Sequence, residues 1–561
     1  MSDGVIRLNG SIQSTAVSRS GKRGAMTMNV STVSFIETAP LGAAHLHGLE
    51  AGAALDDPFD VVVVGSGASG AVAAETFVRA GLRTLVLEEG ARLRRDAENA
   101  AVDAASPMAL AGSEERGWSG RGWPWSTRNL GGGSVFYGGA SFRYTDFDFD
   151  PSARIHVDGL PVKWPIGAED LAPHYREMER RLCVDHAAFV DATQVPRTLS
   201  LPAEHLWAGA ERLGYSPRPT PVAVDRSLCD NCSLCISAQC TRGAKRDVVT
   251  ALLAPLADAP NLTLLTGVRA VALTQTRRHA VDAVTCLDMD TGRTRSIRAR
   301  RVVLACNAIQ TAALLLRSTS HHAPRGLGNE HDVVGRGLCM KLSEYTEGRV
   351  DEYPERIADH PIGYRGPFST VAVLDHYLDE RCPVGVGGLM YETKHDDWRA
   401  LQGEGLVLRV ETILADHPSP RNRIRLSSST DAWGLPRVMI DYTTDRRDEA
   451  RLAYMRARSA GWLEASGART IRHEASNFTL GSTHLHGTCR AGDDPRTSVV
   501  DRDGRVHALD NVHVVDGSYM PYPGGLNPTL TIQANALRIS RLLARGDTAR
   551  ADDGAPRAAV A

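Results

Sequence analysis

The sequence predicts an α/β fold, in which a Rossmann-like dinucleotide-binding domain is built from separated stretches of chain and an antiparallel-sheet domain is inserted between them. Four consecutive valines at 61–64 are followed by glycines with the G-x-G-x-x-G spacing of a nucleotide-binding turn. Strand-then-helix patterns return at 301–317 and at 512–543. Residues 331–483 instead show the alternating strands and Pro/Gly turns of an antiparallel sheet.

The first stretch contains every part of a dinucleotide-binding unit in order. Its apolar, β-branched run of valines is typical of a strand buried on both faces. Gly65, Gly67 and Gly70 permit a tight turn and let backbone N–H groups approach a pyrophosphate at the start of the next helix. A second apolar strand at 84–87 ends in Glu88, where a carboxylate accepts hydrogen bonds from the adenosine ribose. These residues predict dinucleotide binding without separating FAD from NAD, and the alternative is a Rossmann-like core with an empty site.

Composition and charge exclude several classes of function. The chain has 561 residues, enough for two or more domains. Its 64 Lys and Arg nearly balance 66 Asp and Glu, so no overall field attracts nucleic acid. No apolar stretch reaches the length that spans a bilayer, and residues 1–56 lack the apolar core of a secretory signal. We therefore expect a cytoplasmic protein without a nucleic-acid or membrane partner, and a flexible extension at 1–56.

Two short segments near the end of the sequence offer the side chains of a catalytic site. The segment 484–490 places His484 and His486 beside a Gly-Thr turn. A neutral imidazole has a pKa near working pH, which suits it to take the proton of an alcohol. The segment 524–530 places Asn527 directly before a proline, where the backbone is held extended.

Seven motifs spread along the chain occur together in one known family. They stand at 65–70, 87–90, 130–134, 334–338, 417–423, 484–490 and 524–530. From about Phe59 to Leu543 the chain resembles the glucose–methanol–choline oxidoreductases, which bind FAD. The resemblance implies FAD rather than NAD. It also implies a discontinuous FAD-binding domain with an inserted antiparallel-sheet substrate domain. The predicted limits are 57–150, 225–330 and 484–545 for the FAD-binding domain, 151–224 and 331–483 for the substrate domain, and 546–561 for a tail.

The resemblance also implies roles for individual residues. The family histidine stands three residues before Gly-Thr, which falls on His484, and the partner position falls on Asn527. His484 is then the base, and Asn527 holds the substrate oxygen as negative charge develops on it. His486 remains the alternative base. The residues expected to contact FAD are Gly65, Gly67, Ser69, Gly70, Glu88, Gly132, Gly133, Ser134, Ala270, Asp516, Gly517, Pro528 and Thr529.

The mode of FAD attachment follows from the same resemblance. Some members bind FAD covalently through a histidine that follows the Gly-Gly-Ser turn. No histidine lies between Glu114 and Asp150, so we expect non-covalent FAD. The family often has asparagine three residues after that serine, where this chain has Tyr137. The sequence therefore departs from the family pattern beside the expected edge of the flavin.

A closer similarity concerns three stretches, at 123–127, 133–144 and 233–245. They resemble the flavin 6′-dehydrogenases, also called 6′-oxidases, of aminoglycoside antibiotic biosynthesis. The resemblance implies oxidation of the primary 6′-hydroxymethyl group of a paromamine-type amino sugar to the aldehyde, with O2 as electron acceptor. A PLP aminotransferase would then convert the aldehyde to an amine. The alternatives are a dehydrogenase of this family that passes electrons to an iron–sulfur cluster or a carrier, and a non-catalytic flavin-binding scaffold.

A polycationic substrate of this kind calls for carboxylates near the site. The candidates in the inserted domain are Glu344, Glu347, Asp351, Glu352 and Glu411. For any one of them, an ordinary solvated acidic face is the simpler interpretation.

Four of the ten cysteines form a cluster, at Cys229, Cys232, Cys235 and Cys240. In a cytosolic protein such a cluster suggests a metal before a disulfide, but the spacing is not that of a zinc site. An iron–sulfur cluster is one hypothesis. The other, which we favour, is a loop with reduced thiols or one disulfide and no metal.

Overall fold

The computed structural model describes residues 55–92, 126–184, 199–233, 235, 240–351, 359–367, 369–394, 405–475 and 484–552. Most of the predicted N-terminal extension, the last part of the predicted tail, residues 123–125 and Glu352 lie outside the described residues.

Strands and helices are numbered in chain order. The strands are β1 (Phe59–Val64), β2 (Thr84–Glu88), β3 (His156–Val157), β4 (Leu160–Pro161), β5 (Arg218–Pro219), β6 (Leu262–Thr266), β7 (Val268–Thr274), β8 (Ala283–Asp288), β9 (Thr294–Leu304), β10 (Leu342–Val350), β11 (Val371–Val373), β12 (Gly388–Glu392), β13 (Leu406–Leu414), β14 (Arg423–Thr430), β15 (Pro436–Asp441), β16 (Arg469–Ala475) and β17 (Val512–Val514). The α-helices are α1 (Ala68–Arg79), α2 (Asp146–Phe149), α3 (Ala168–Arg181), α4 (Leu201–Arg212), α5 (Asn307–Arg317), α6 (Arg446–Ala465) and α7 (Thr529–Asp552). Within the described ranges, none of these helices combines the length and apolar character that a membrane crossing needs.

The first large sheet is assembled from three separated stretches of chain. Its parallel strands lie in the order β6-β2-β1-β9-β17. The first half of β9 pairs antiparallel with β8, which pairs in turn with β7. The valines of β1 are buried because β1 lies between two parallel neighbours and beneath α1, which packs against α7. This arrangement confirms the predicted discontinuous Rossmann-like fold.

The second large sheet is antiparallel, with the order β16-β10-β13-β12-β11-β5. Helices α4 and α6 cover one of its faces, where side chains such as Leu342, Val410 and Trp462 form a core of their own. Because side chains alternate along a strand, Tyr345, Tyr391 and Glu411 share the opposite face. Tyr391 on that face belongs to the same core as the first sheet, so the polar face looks toward the FAD-binding domain. The predicted inserted antiparallel sheet is confirmed, and its limits along the chain stay a prediction.

Candidate active site

A cavity of about 560 Å³ lies at the carboxyl ends of β1 and β2, where open α/β sheets bind their ligands. Its walls come from the three stretches of the first sheet and from the hairpin β14–β15. Predicted site residues in its lining are Gly65, Gly67, Ser69, Glu88, Gly132, Gly133, Ser134, Ala270, His484, Asp516, Gly517, Pro528 and Thr529. Gly70 and Asn527 are not part of the lining.

The glycines of the first turn have different tasks. Gly65 has a φ of 97°, and a Cβ there would lie 2.5 Å from the carbonyl oxygen of Ala305. A Cβ on Gly70 would lie 1.9 Å from the carbonyl oxygen of Gly65, so Gly70 lets the helix close onto the turn. Gly67 has no atom within 4 Å of such a Cβ. Its missing side chain keeps open the space in front of α1, which a phosphate group fits.

The start of α1 is suited to an anion. The helix begins at Ala68, and its N-cap Gly67 has no side chain with which to bond the first N–H groups. The first turn also has no acidic residue. Backbone N–H groups and the positive end of the helix dipole therefore face the cavity uncompensated, as binding of a pyrophosphate requires.

Glu88 forms the wall at the end of β2. Its carboxylate accepts hydrogen bonds from the Ser66 backbone N–H at 3.1 Å, the Ser66 hydroxyl at 2.6 Å and the Gly90 N–H at 2.9 Å. Burial raises the pKa of Glu88 to about 7 despite these donors. Glu88 can accept further hydrogen bonds from ribose hydroxyls, which would favour its ionised form.

The two histidines of the 484–490 segment differ in their access to the cavity. His484 is half-buried and lines it. His486 is fully buried, and its backbone exchanges hydrogen bonds of 2.9 and 3.0 Å with Cys339. Burial, and secondarily the charge of Lys341, hold the pKa of His484 well below its usual value. A neutral imidazole at the cavity wall can accept a proton.

Asn527 lies at the end of a loop that buried side chains hold from several directions. The Tyr144 hydroxyl donates to the Pro523 carbonyl, and the Tyr377 hydroxyl accepts from the Gly525 N–H at 2.8 Å. The ammonium group of Lys341 donates to the carbonyl of Leu526. Asn527 itself is 7% exposed and hydrogen-bonds the Tyr391 hydroxyl, while its Oδ1 has no partner among the described residues.

Sequence reasoning missed this buried frame around Asn527. Its members are Tyr144, Lys341, Tyr377 and Tyr391, which come from four distant parts of the chain. No local spacing relates them, because only the tertiary fold brings these distant segments together. Lys341 is fully buried, and burial lowers its pKa to about 7.

The hairpin β14–β15 was also missed as part of the cavity wall. Within the range predicted for the substrate domain, it packs against α5 and contributes Asp431, Trp433 and Arg437 to the lining. Arg317 at the end of α5 lines the cavity too, and burial lowers its pKa to about 10. No pattern within residues 423–441 indicates that they lie beside the cavity, so the sequence alone could not reveal this wall.

The four clustered cysteines lie together around Lys245. Its ammonium group donates to the carbonyl of Cys235 at 2.6 Å, and its N–H to the sulfur of Cys240 at 3.4 Å. The cysteines are not joined by disulfides. In the described part of the chain, which omits 234 and 236–239, no group of His, Cys, Asp or Glu is arranged to hold a metal ion. Reduced thiols and an iron–sulfur cluster both stay hypotheses.

Comparison with known families decides the kind of cofactor that the cavity holds. Family models described as GMC oxidoreductase match residues 59–343 and 418–536. The chain belongs to the GMC oxidoreductase family. The prediction of a glucose–methanol–choline oxidoreductase is thereby confirmed, and with it an enzyme that binds FAD. The helix N-terminus at Ala68, the open space at Gly67 and the carboxylate of Glu88 fit the pyrophosphate and the ribose of that cofactor.

Individual GMC oxidoreductases are similar over nearly the whole chain. It is 54% identical over 519 residues to the 6'''-hydroxyparomomycin C oxidase of Streptomyces lividus, covering 90% of this chain and 95% of that one. It is 54% identical over 514 residues to the paromamine 6'-oxidase of Streptomyces fradiae, covering 90% and 94%. The solved structure of formate oxidase from Aspergillus oryzae superposes with a TM-score of 0.64 at 16% identity, covering 88% of this chain and 99% of that one. That structural likeness shows the fold.

Proposed function

We propose that this GMC oxidoreductase oxidises the primary 6′-hydroxymethyl group of a paromamine-type aminoglycoside precursor to the aldehyde, with O2 as the final electron acceptor. The observation that supports this most strongly is the 54% identity, over 90% of the chain, to two oxidases named for paromomycin-type and paromamine substrates. An aldehyde is the form that a PLP aminotransferase accepts, so we expect such an enzyme to consume the product.

In this proposal His484 removes the proton of the substrate hydroxyl. Its position in the cavity lining and its lowered pKa support that role, because the imidazole is neutral at physiological pH. FAD, when bound, supplies the acceptor for the hydride that leaves the alcohol carbon. His486 is the weaker candidate, since its side chain is buried away from the cavity lining.

Asn527 binds the substrate oxygen and holds it while negative charge develops on it. Its unpaired Oδ1 supports contact with the substrate, because a buried acceptor without a partner costs free energy unless a ligand donates to it. The Nδ2 group is the part of the amide that can donate to the charged oxygen. The frame formed by Lys341, Tyr377 and Tyr391 keeps the amide in place. FAD is held non-covalently in this proposal, since no histidine is present between Glu114 and Asp150.

The test is anaerobic mixing of the purified FAD-loaded protein with paromamine, with neamine and with glucose. We expect paromamine to bleach the flavin absorbance, neamine (which has no 6′-hydroxyl) to leave it unchanged, and glucose to act far more slowly. Admission of O2 should then restore the absorbance and produce one peroxide per aldehyde. Stoichiometric iron without peroxide would instead identify the dehydrogenase alternative. Absence of bleaching with every alcohol tried would identify a non-catalytic flavoprotein.

A further inference from the structure

Glu411 lies in the middle of the antiparallel sheet, on the polar face that looks toward the FAD-binding domain. It is 7% exposed. Its carboxylate accepts a hydrogen bond of 2.7 Å from the Ser343 hydroxyl and one of 2.5 Å from the Tyr391 hydroxyl. Among the described residues, no lysine or arginine forms a direct ion pair with it, and the nearest charge that acts on it is that of Arg409, two residues away on the same face of β13.

Other buried glutamates of this sheet have cationic partners. Glu344 on the helix-covered face accepts from Arg456 at 2.6 and 2.7 Å. Glu392 accepts from Lys394 at 2.7 Å. Buried carboxylates are usually paired in this way, because an unpaired charge is costly to remove from water. Glu411 is therefore an exception that packing alone does not explain.

The hydrogen bonds of Glu411 fix the donor and acceptor roles in a series of hydrogen bonds that runs from Glu411 through Tyr391 to Asn527. The Ser343 and Tyr391 hydroxyls both donate to the Glu411 carboxyl group, so Tyr391 gives its single hydroxyl proton to Glu411. Burial raises the pKa of Glu411, and these two donors and the charge of Arg409 oppose that shift. The oxygen of Tyr391 can then only accept from Asn527, which turns the Nδ2 of the amide toward Tyr391. The same orientation leaves Oδ1 of Asn527 without a partner among the described residues.

The alternative orientation becomes available when the carboxylate is lost. A neutral group at 411 that donates to Tyr391 would free the Tyr391 proton for the Oδ1 of Asn527. The amide would then rotate by half a turn at little steric cost, because its oxygen and nitrogen are nearly equal in size.

We propose that Glu411 is a positioning residue, which acts through the Tyr391 hydroxyl to hold one N–H of the Asn527 amide, so that the second N–H can donate to the substrate oxygen. This inference rests on the proposed function, in which Asn527 contacts the alcohol group. In this inference the inserted sheet contributes to catalysis indirectly, through a residue that does not touch the substrate.

The test compares Glu411→Gln and Tyr391→Phe in the FAD-loaded enzyme. Both variants nearly keep the shape of the side chain. Glu411→Gln removes the carboxylate that accepts the Tyr391 proton, and Tyr391→Phe removes the hydroxyl that carries it. We expect each to lower the rate constant of anaerobic flavin reduction by paromamine about tenfold or more, the effect of one misdirected hydrogen bond. The dissociation constant of paromamine, obtained from the concentration dependence of that rate, should change much less. The double variant should be no slower than either single one, because both changes break the same link.

Glu392→Gln is the matched control, since it neutralises a buried glutamate of the same sheet on the opposite face. It should reduce the melting temperature through loss of the Lys394 ion pair, and leave the rate constant unchanged. Wild-type rate constants in both Glu411→Gln and Tyr391→Phe would overturn the inference, and so would a rate loss that simply adds in the double variant. If Glu411→Gln does not fold, Tyr391→Phe decides alone.

Asn527→Ala separates this inference from the proposed function. A slow Asn527→Ala protein beside fast Glu411→Gln and Tyr391→Phe proteins would refute only the positioning role. A fast Asn527→Ala protein would refute the role proposed for Asn527 itself.

Discussion

The ammonium group of Lys341 donates a hydrogen bond to the carbonyl oxygen of Leu526, the residue directly before Asn527. Lys341 precedes β10 of the inserted sheet, whereas Leu526 belongs to the last stretch of the FAD-binding domain. The same charge also lowers the pKa of His484. One buried lysine therefore holds the loop that carries Asn527 and lowers the pKa of His484.

Replacement of this lysine should change how stability depends on pH. Burial lowers the pKa of Lys341 from 10.5 to about 7 in the folded protein. Between about pH 7 and 10 the unfolded chain therefore binds a proton that the folded one lacks, so this group makes stability rise with pH. We expect the melting temperature of the wild type, relative to Lys341→Met, to increase across that range. Lys163→Met, at an exposed position, is the control, and parallel curves for wild type and Lys341→Met would contradict the lowered pKa.

Substitution of the two histidines should separate catalysis from stability. We expect His484→Asn to retain FAD and to slow anaerobic flavin reduction by about 10²- to 10⁴-fold, the usual contribution of a general base. His486→Asn replaces a fully buried ring with a smaller side chain, so the cavity that it leaves should lower the melting temperature, with the reduction rate of the folded fraction within a few-fold of wild type. Stopped-flow absorbance measures both rates. The opposite ranking would make His486 the base.

Alanine substitutions at two glycines of the first turn should affect different properties, stability in one case and FAD binding in the other. Gly70→Ala places a methyl group against the Gly65 carbonyl, so we expect a large loss of stability even without FAD. Gly67→Ala meets no protein atom and should fold normally as the apoprotein, but its methyl group should weaken FAD binding. Thermal melting of the apoproteins and fluorescence titration with FAD distinguish the two effects. Equal melting temperatures would show that the turn can relax around a methyl group.

FAD affinity should depend on pH through Glu88. In the folded apoprotein, burial raises the pKa of Glu88 from 4.5 to about 7. Below about pH 7 its carboxyl group is therefore mostly protonated. Ribose hydroxyls donate best to the ionised carboxylate, so affinity should increase from about pH 5.5 to 7 and then level off. Titration of the apoprotein with FAD measures this. In Glu88→Gln we expect weaker binding and the loss of that slope, and an unchanged slope would assign it to another group.

The parts of the fold that could be predicted from the sequence are those whose signals are local. The strand at 61–64, its glycine turn and Glu88 lie within thirty residues of one another, and each has a physical requirement that few residue types meet. His484 and Asn527 could be selected only through the family resemblance, because a histidine and an asparagine in loops have no distinctive spacing.

The remainder of the site depends on long-range pairing. Tyr391 and Glu411 are neighbours because β12 and β13 pair in one register, and a shift by one residue would turn each to the opposite face. The burial of Lys341 likewise depends on distant segments of the chain, which place Tyr144 and Leu526 against its ammonium group. Side chains of this kind acquire their partners only in the folded protein.

The long strand β9 has a consequence for synthesis of the protein. Its second half lies between β1, near the start of the described chain, and β17, near the end. Helix α1 is covered by α7, which follows β17. A growing chain must therefore keep the side of α1 that α7 covers, and the edge of β9 that β17 pairs with, exposed until almost all residues have left the ribosome. We expect chains truncated before residue 529 to aggregate, and the protein to depend on chaperones during translation more than its stability after folding would suggest.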